Sequence, residues 1–174
     1  MKTIAVIAAI AVVVVLTLAV MRPDTFQVER SMTIKAPPET IFAIIQDFHR
    51  WGAWSPWEKK DPSMKRTYGG AASGKGAVYG WDGNGDVGTG SMEIVEVIVP
   101  LHVTITLDFT KPFAAHNVAE FTMIPTTDGT HVSWLMRGPS PFLAKVMNVF
   151  VDMDHMVGAD FEAGLANLKA AAEG

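Results

Sequence analysis

The sequence predicts an α+β domain: a mainly antiparallel sheet with one apolar face, a long C-terminal helix to cover that face, and a separate apolar helix at the N-terminus. Three observations carry this. Alternating apolar and polar residues recur through the middle of the chain, the period of half-buried strands. An apolar stripe at helical spacing runs through residues 140–174. Residues 4–21 are apolar or near neutral throughout.

The N-terminal run comes first. From Ile4 to Met21, at about 1.5 Å of rise per residue, it spans ~27 Å, enough for a bilayer core with little tilt. Thr17 is tolerable there because its hydroxyl bonds back to its own helix. Residues 1–23 are therefore read as a single-pass transmembrane anchor. A cleaved signal peptide is the rival reading, but its apolar part is shorter and ends in a small-x-small site, and no such site lies near Val20. Cationic residues flank both ends, Lys2 on one side and Arg22, Arg30 and Lys35 on the other, so the side of the membrane is left unassigned. Pro23 ends the helix, and the folded domain is placed at residues 26–174.

"FQVERSMTIK" alternates Phe26, Val28, Met32 and Ile34 against polar residues, with Arg30 interrupting the apolar face. In "APPETIFAIIQDF" prolines open a helix, Glu39 complements its positive end, and Ile41, Phe42, Ile44 and Ile45 supply an apolar body. Trp51, Trp54 and Trp57 follow, with room for one short helical turn. "MKRTYGG" and "GAVYGW" read as short strands, and "WDGNGD" as a tight hairpin turn. "GTGSMEIVEVIVP" is a strand whose inner face is ambiguous: Met92, Ile94 and Ile98 compete with Val95, Val97 and Val99. "LHVTITLDF" places Leu101, Val103, Ile105, Leu107 and Phe109 on one face. "NVAEFTMIP" offers Ala119, Phe121 and Met123; "HVSWLMR" offers Val132, Trp134 and Met136. Folding these hairpins predicts the cross-strand rows Val103–Met123–Trp134 and Ile105–Phe121–Met136.

The last segment reads as one helix, capped by Ser140 with Pro141 in its first turn. Its stripe includes Phe142, Val146, Val149, Phe150, Met153, Val157, Phe161, Leu165 and Leu168. Asp160 falls inside the stripe, which predicts either a buried carboxylate with a partner such as Arg66 or exposure beyond a bend at Gly158.

Several chemistries are excluded or unsupported. The chain has no cysteine, so disulfides, thiol nucleophiles and a lipoprotein signal are ruled out. A net charge of −4 without a basic block argues against nucleic acid. Five scattered histidines show no metal-ligand spacing, and no GxSxG nucleophile motif occurs. No cofactor, metal or catalytic residue is expected.

The order of elements, together with "VERSMTIKAPPETIFAIIQDFHRWGAWSPWE", "GAVYGW", "GTGSMEI" and "MVGADFEAGLANLK", resembles the START-like superfamily, also called SRPBCC, and within it the polyketide cyclase/dehydrase and lipid-transport group. The resemblance implies a helix-grip fold, in which a curved antiparallel sheet wraps the long C-terminal helix. It also implies that the tryptophan stretch lies near the mouth of a cavity between the two. The expected ligand-binding residues are then Trp54 and Trp57 from the short helices, and Tyr79, Trp81, Met92 and Ile105 from the sheet. Phe121, Met123, Trp134 and Met136 extend the sheet's contribution; Phe150, Met153 and Val157 come from the helix. Ordinary core packing is the competing explanation for Trp51, Trp54 and the methionines.

The resulting expectation is a membrane-anchored binding protein for a hydrophobic small molecule, such as a lipid, an isoprenoid or an aromatic compound. Two alternatives stand beside it. A cyclase-type enzyme would use Tyr79 and Arg66 to polarise a carbonyl. A protein-interaction module would have a filled core.

Overall fold

The computed structural model describes residues 2–174. Helix α1 (Lys2–Val20) leads through residues 21–24 into strand β1 (Thr25–Ile34). Helix α2 (Pro38–Ile45), a 3-10 turn (Phe48–Ala53) and helix α3 (Pro56–Lys60) follow. Six strands come next: β2 (Lys65–Gly70), β3 (Ala77–Asp82), β4 (Thr89–Ile98), β5 (His102–Lys111), β6 (Ala115–Thr126) and β7 (Gly129–Pro139). Helices α4 (Phe142–Met147) and α5 (Met153–Glu173) close the chain. The strands form one antiparallel sheet in the order β1-β7-β6-β5-β4-β3-β2. Helix α5 lies against its inner face with Phe161, Leu165 and Leu168 buried, the helix-grip arrangement.

The sheet has two ends. At the α2 end lie the close of β1 and the β6–β7 hairpin; at the α1 end lie the start of β1, the close of β7 and the entry to α4. Helix α5 begins at the α1 end and finishes at the α2 end, where Glu173 accepts a hydrogen bond from the Lys35 backbone N–H at 2.7 Å.

Four sequence expectations change. First, β6 is displaced by two residues, so the rows are Val103–Phe121–Trp134 and Ile105–Ala119–Met136. The hairpin closes on Thr126 and Gly129, one residue earlier than expected, and an even shift keeps every side chain on its predicted face. Second, both readings of β4 hold in turn. Met92 and Ile94 point inward, a bulge falls between Ile94 and Glu96, and Val97 then pairs with the buried Val103. Third, the C-terminal segment is two helices. The carboxylate of Asp152 accepts from the His155 N–H at 3.1 Å, capping a new helix and ending any continuity through Val149–Val151. Ser140 caps nothing; the N-cap of α4 is Pro141. Fourth, Asp160 pairs with Lys60 at 2.7 Å, not with Arg66.

Arg30 faces α5 rather than water. It reaches Asp154 at 3.0 Å and Glu162 at 2.9 Å, fixing the start of α5 to β1. Gly158 makes room for it, since a Cβ there would lie 2.0 Å from Arg30 Nη2.

Candidate functional site

Along β6 the residues on the inner face are Met123, Phe121, Ala119, Asn117 and Ala115, read from the α2 end to the α1 end, the last of them exposed. The first two are large and the last three small, and the interface with α5 divides at that step.

On the α2 side the layers meet solidly. The Trp134 and Phe161 rings stack at 4.1 Å with planes 5° apart. Trp54 packs edge-on against Trp134 at 5.5 Å and against Phe121 at 6.0 Å. Gly164 permits this approach: a Cβ there would meet Trp134 Cζ3 at 2.7 Å. Of the predicted ligand-binding residues, Trp54, Ile105, Phe121, Met123 and Trp134 belong to this filled region and are buried. Trp51 is anchored in it by its indole N–H, which donates to the Ile45 carbonyl at 2.9 Å.

On the α1 side the residues on the inner sheet face are smaller, and neighbouring side chains close over them. Asn117 pairs with Leu107, and across β7 a Cβ on Gly138 would come within 2.1 Å of Asn117 Oδ1. Ala119 lies between Ile105 and Met136. Gly90 lies under the Trp81 ring, where a Cβ would meet Cζ2 at 2.7 Å. Asn117 and Ala119 are buried. Tyr79, Trp81 and Met92 stand on the β3–β4 flank of this small-residue floor, and Met136 and Phe26 on its β7–β1 flank. Trp57, Met153 and Val157 are half-buried, the two α5 residues lying one and two turns before Phe161. Phe150 is not with them. It lies in the break between α4 and α5 and is 73% exposed. Two shallow surface grooves lie elsewhere: about 690 Å³ beside Lys35–Pro37 and Thr127–Gly129, and about 320 Å³ along Val13–Met21.

Among the described residues, three buried polar atoms find no hydrogen-bond partner: the indole nitrogens of Trp54 and Trp134, and Asn117 Oδ1. Leaving such a group unpaired costs about 1–3 kcal/mol. Asn117 Oδ1 is the one on the small-residue floor, where it lies over Gly138.

Beside the β3 flank, Glu58 joins α3 to the sheet. Its Oε1 accepts from the Tyr79 hydroxyl at 2.6 Å, and its Oε2 accepts from Arg66 Nε at 2.7 Å. Burial, then the hydrogen bond to Glu58, pushes the Tyr79 phenol well above the ordinary tyrosine range. Glu58 raises the Arg66 guanidinium likewise. The trio satisfies itself: both carboxylate oxygens are engaged, and the phenol proton is held by Glu58. Among the described residues, no group of three His, Asp or Glu side chains is arranged to hold a metal.

The chain matches, over residues 25–173, the family described as polyketide cyclase / dehydrase and lipid transport. It belongs to that family. Solved structures share the fold of this polyketide cyclase/dehydrase and lipid-transport domain at low identity. Protein CV1439 from Chromobacterium violaceum is 15% identical with a TM-score of 0.60, the match covering 87% of this chain and 99% of that one. The di-domain ARO/CYC StfQ from the steffimycin biosynthetic pathway is 12% identical with a TM-score of 0.63, covering 86% and 51%. The Aha1 dimer from Colwellia psychrerythraea is 18% identical with a TM-score of 0.55, covering 85% and 96%. No curated protein matches.

The small residues on this family member's inner sheet face escape a reading of single strands. Asn117 was available, two positions before Ala119 in the β6 alternation. Gly90 and Gly138 carry no periodic signal; only strand pairing brings them beside Trp81 and Asn117.

Proposed function

We propose that this domain binds a single apolar small molecule, a lipid, an isoprenoid or an aromatic compound, in a trough that opens between the α1 end of the sheet and the start of α5. We further propose that α1 anchors the chain in a membrane. The observation that supports binding is the step along β6 from the large Phe121 to the smaller Ala119 and Asn117, together with the incomplete burial of Met136, Met153 and Val157. Asn117 adds a polar preference: its unpaired amide oxygen would be satisfied by a hydroxyl or other donor on an otherwise apolar ligand. Affinity would come chiefly from apolar burial, about 25 cal/mol per Å² before ordering costs. The Tyr79–Glu58–Arg66 trio supports binding over chemistry, because its groups are spent on one another. The membrane part rests on Thr3–Val20, whose mean hydropathy is 3.0 and of which 6% is buried.

The test is native mass spectrometry of the detergent-extracted full chain, followed by titration of the delipidated protein with an apolar fluorescent probe. The parent is expected to take up probe, and Ala119→Phe, which fills the trough, to lose that uptake while keeping its fold. A parent that carries no small molecule and takes up no probe sinks the proposal.

A further inference from the structure

Helix α4 is built inside out. Its one charged residue, Lys145, is its most buried, at 8% exposed, while Phe142, Leu143 and Met147 are 51%, 60% and 46% exposed. The chain beyond continues the pattern, with Phe150 at 73% and Val151 at 41% exposed. A helix on a water-facing surface turns its apolar side inward and its charges outward; α4 does the reverse.

Two contacts explain how it is held so. Lys145 Nζ pairs with the Asp24 carboxylate, at the junction between α1 and β1. The helix itself packs against α1, where Ala19 is fully buried. The Ser140 N–H donates to the Asp24 carbonyl at 2.7 Å, so the close of β7 is tied to the same junction. The exposed face of α4 therefore continues the exposed apolar surface of α1, which includes Leu16, Leu18 and Val20. One surrounding must suit both. Residues 142–151 contain no carboxylate to oppose burial in lipid. Across the same end of the sheet, Phe113 in the β5–β6 connection is 61% exposed.

We infer that residues 142–151 form a second membrane contact, lying in the bilayer interface beside the exit of α1, so that the α1 end of the sheet and its trough face lipid. The occupant of this apolar surface is a lipid surface. Interfacial segments of this kind sink about 5–10 Å into the headgroup and acyl boundary. A ligand would then pass between bilayer and trough without crossing bulk water. The inference rests on the reading of α1 as a membrane span.

The absence of native cysteine allows a clean test. Single variants Leu143→Cys, Phe150→Cys, Val13→Cys and Ile124→Cys of the full chain are labelled with an environment-sensitive fluorophore and placed in phosphatidylcholine nanodiscs. Ile124 is an exposed control at the α2 end, and Val13 reports on α1. All four positions are exposed, so tryptophan emission like that of the parent is expected throughout. The labels at 143 and 150 are expected to lose quenching by aqueous iodide and gain quenching by spin-labelled lipid, while the label at 124 does the opposite. If 143 and 150 behave like 124 while 13 is quenched by lipid, the inference falls and the anchor stands. If 13 is also open to iodide, the anchor reading falls and takes the inference with it.

Discussion

Phe161 and Val157 stand one helical turn apart on α5, yet they meet different surfaces. Phe161 lies flat on Trp134 and is 1% exposed. Val157 is only half-buried. The same helix thus meshes tightly with the sheet at Phe161 and less closely one turn earlier. Stability is concentrated where the layers mesh, and the proposed ligand would enter where they mesh less closely. On that proposal a helix-grip domain would not need to hollow out its core to gain a site.

The comparison breaks most readily at Phe161. Phe161→Ala removes the stacked ring from a filled core and is expected to destabilise by about 3–5 kcal/mol, whereas Val157→Ala should cost about 1 kcal/mol or less. Urea unfolding of the detergent-solubilised full chain measures both, and equal losses would dissolve the distinction between the halves. Next, Gly164→Ala forces a methyl group against the Trp134 ring, an overpacking expected to cost about 1–3 kcal/mol, with a shift in tryptophan emission as the reporter.

A smaller effect follows from Tyr79. Its folded-state ionisation is raised above the value of about 10 for a free tyrosine. The folded state therefore holds the proton more tightly than the unfolded one. The stability this contributes is complete below about pH 10 and is lost as the pH rises further. The urea midpoint of the parent should fall across that range, and Tyr79→Phe should flatten the fall; an unchanged slope would show that Tyr79 is not the group responsible.

The smallest change in stability is expected at Asn117. Asn117→Leu replaces an unpaired polar group by an apolar one of similar shape, which is near neutral or mildly stabilising in the empty protein. Uptake of a wholly apolar probe should survive and uptake of a hydroxyl-bearing analogue should weaken. Equal affinity for both would remove the polar preference assigned to the trough.

The period-2 pattern in β1, β5, β6 and β7 was enough to place their inward faces, because each strand buries one side only. It did not place β6 against its neighbours: a shift of two residues costs nothing in that pattern, so the rows came out one step away. The conflicting signals in β4 were both sound, and a bulge reconciles them. The helix break at Asp152 was hidden because Phe150 fits the stripe by spacing while an aspartate cap two residues later decides the geometry. The small-residue floor was the least legible feature. Gly90, Asn117, Ala119 and Gly138 lie on separate strands, and small residues leave no periodic trace until register brings them under Trp81 and beside one another.

Residues 21–24 are a short link between α1 and the sheet, and Asp24 in it is tied to the Ser140 N–H and to Lys145. In a bilayer the first helix would behave as a handle: thicker hydrocarbon would draw its 19 residues upright and thinner hydrocarbon would lean them over, turning the attached domain with them. Lipid composition would then act as a mechanical setting on which way the grip points.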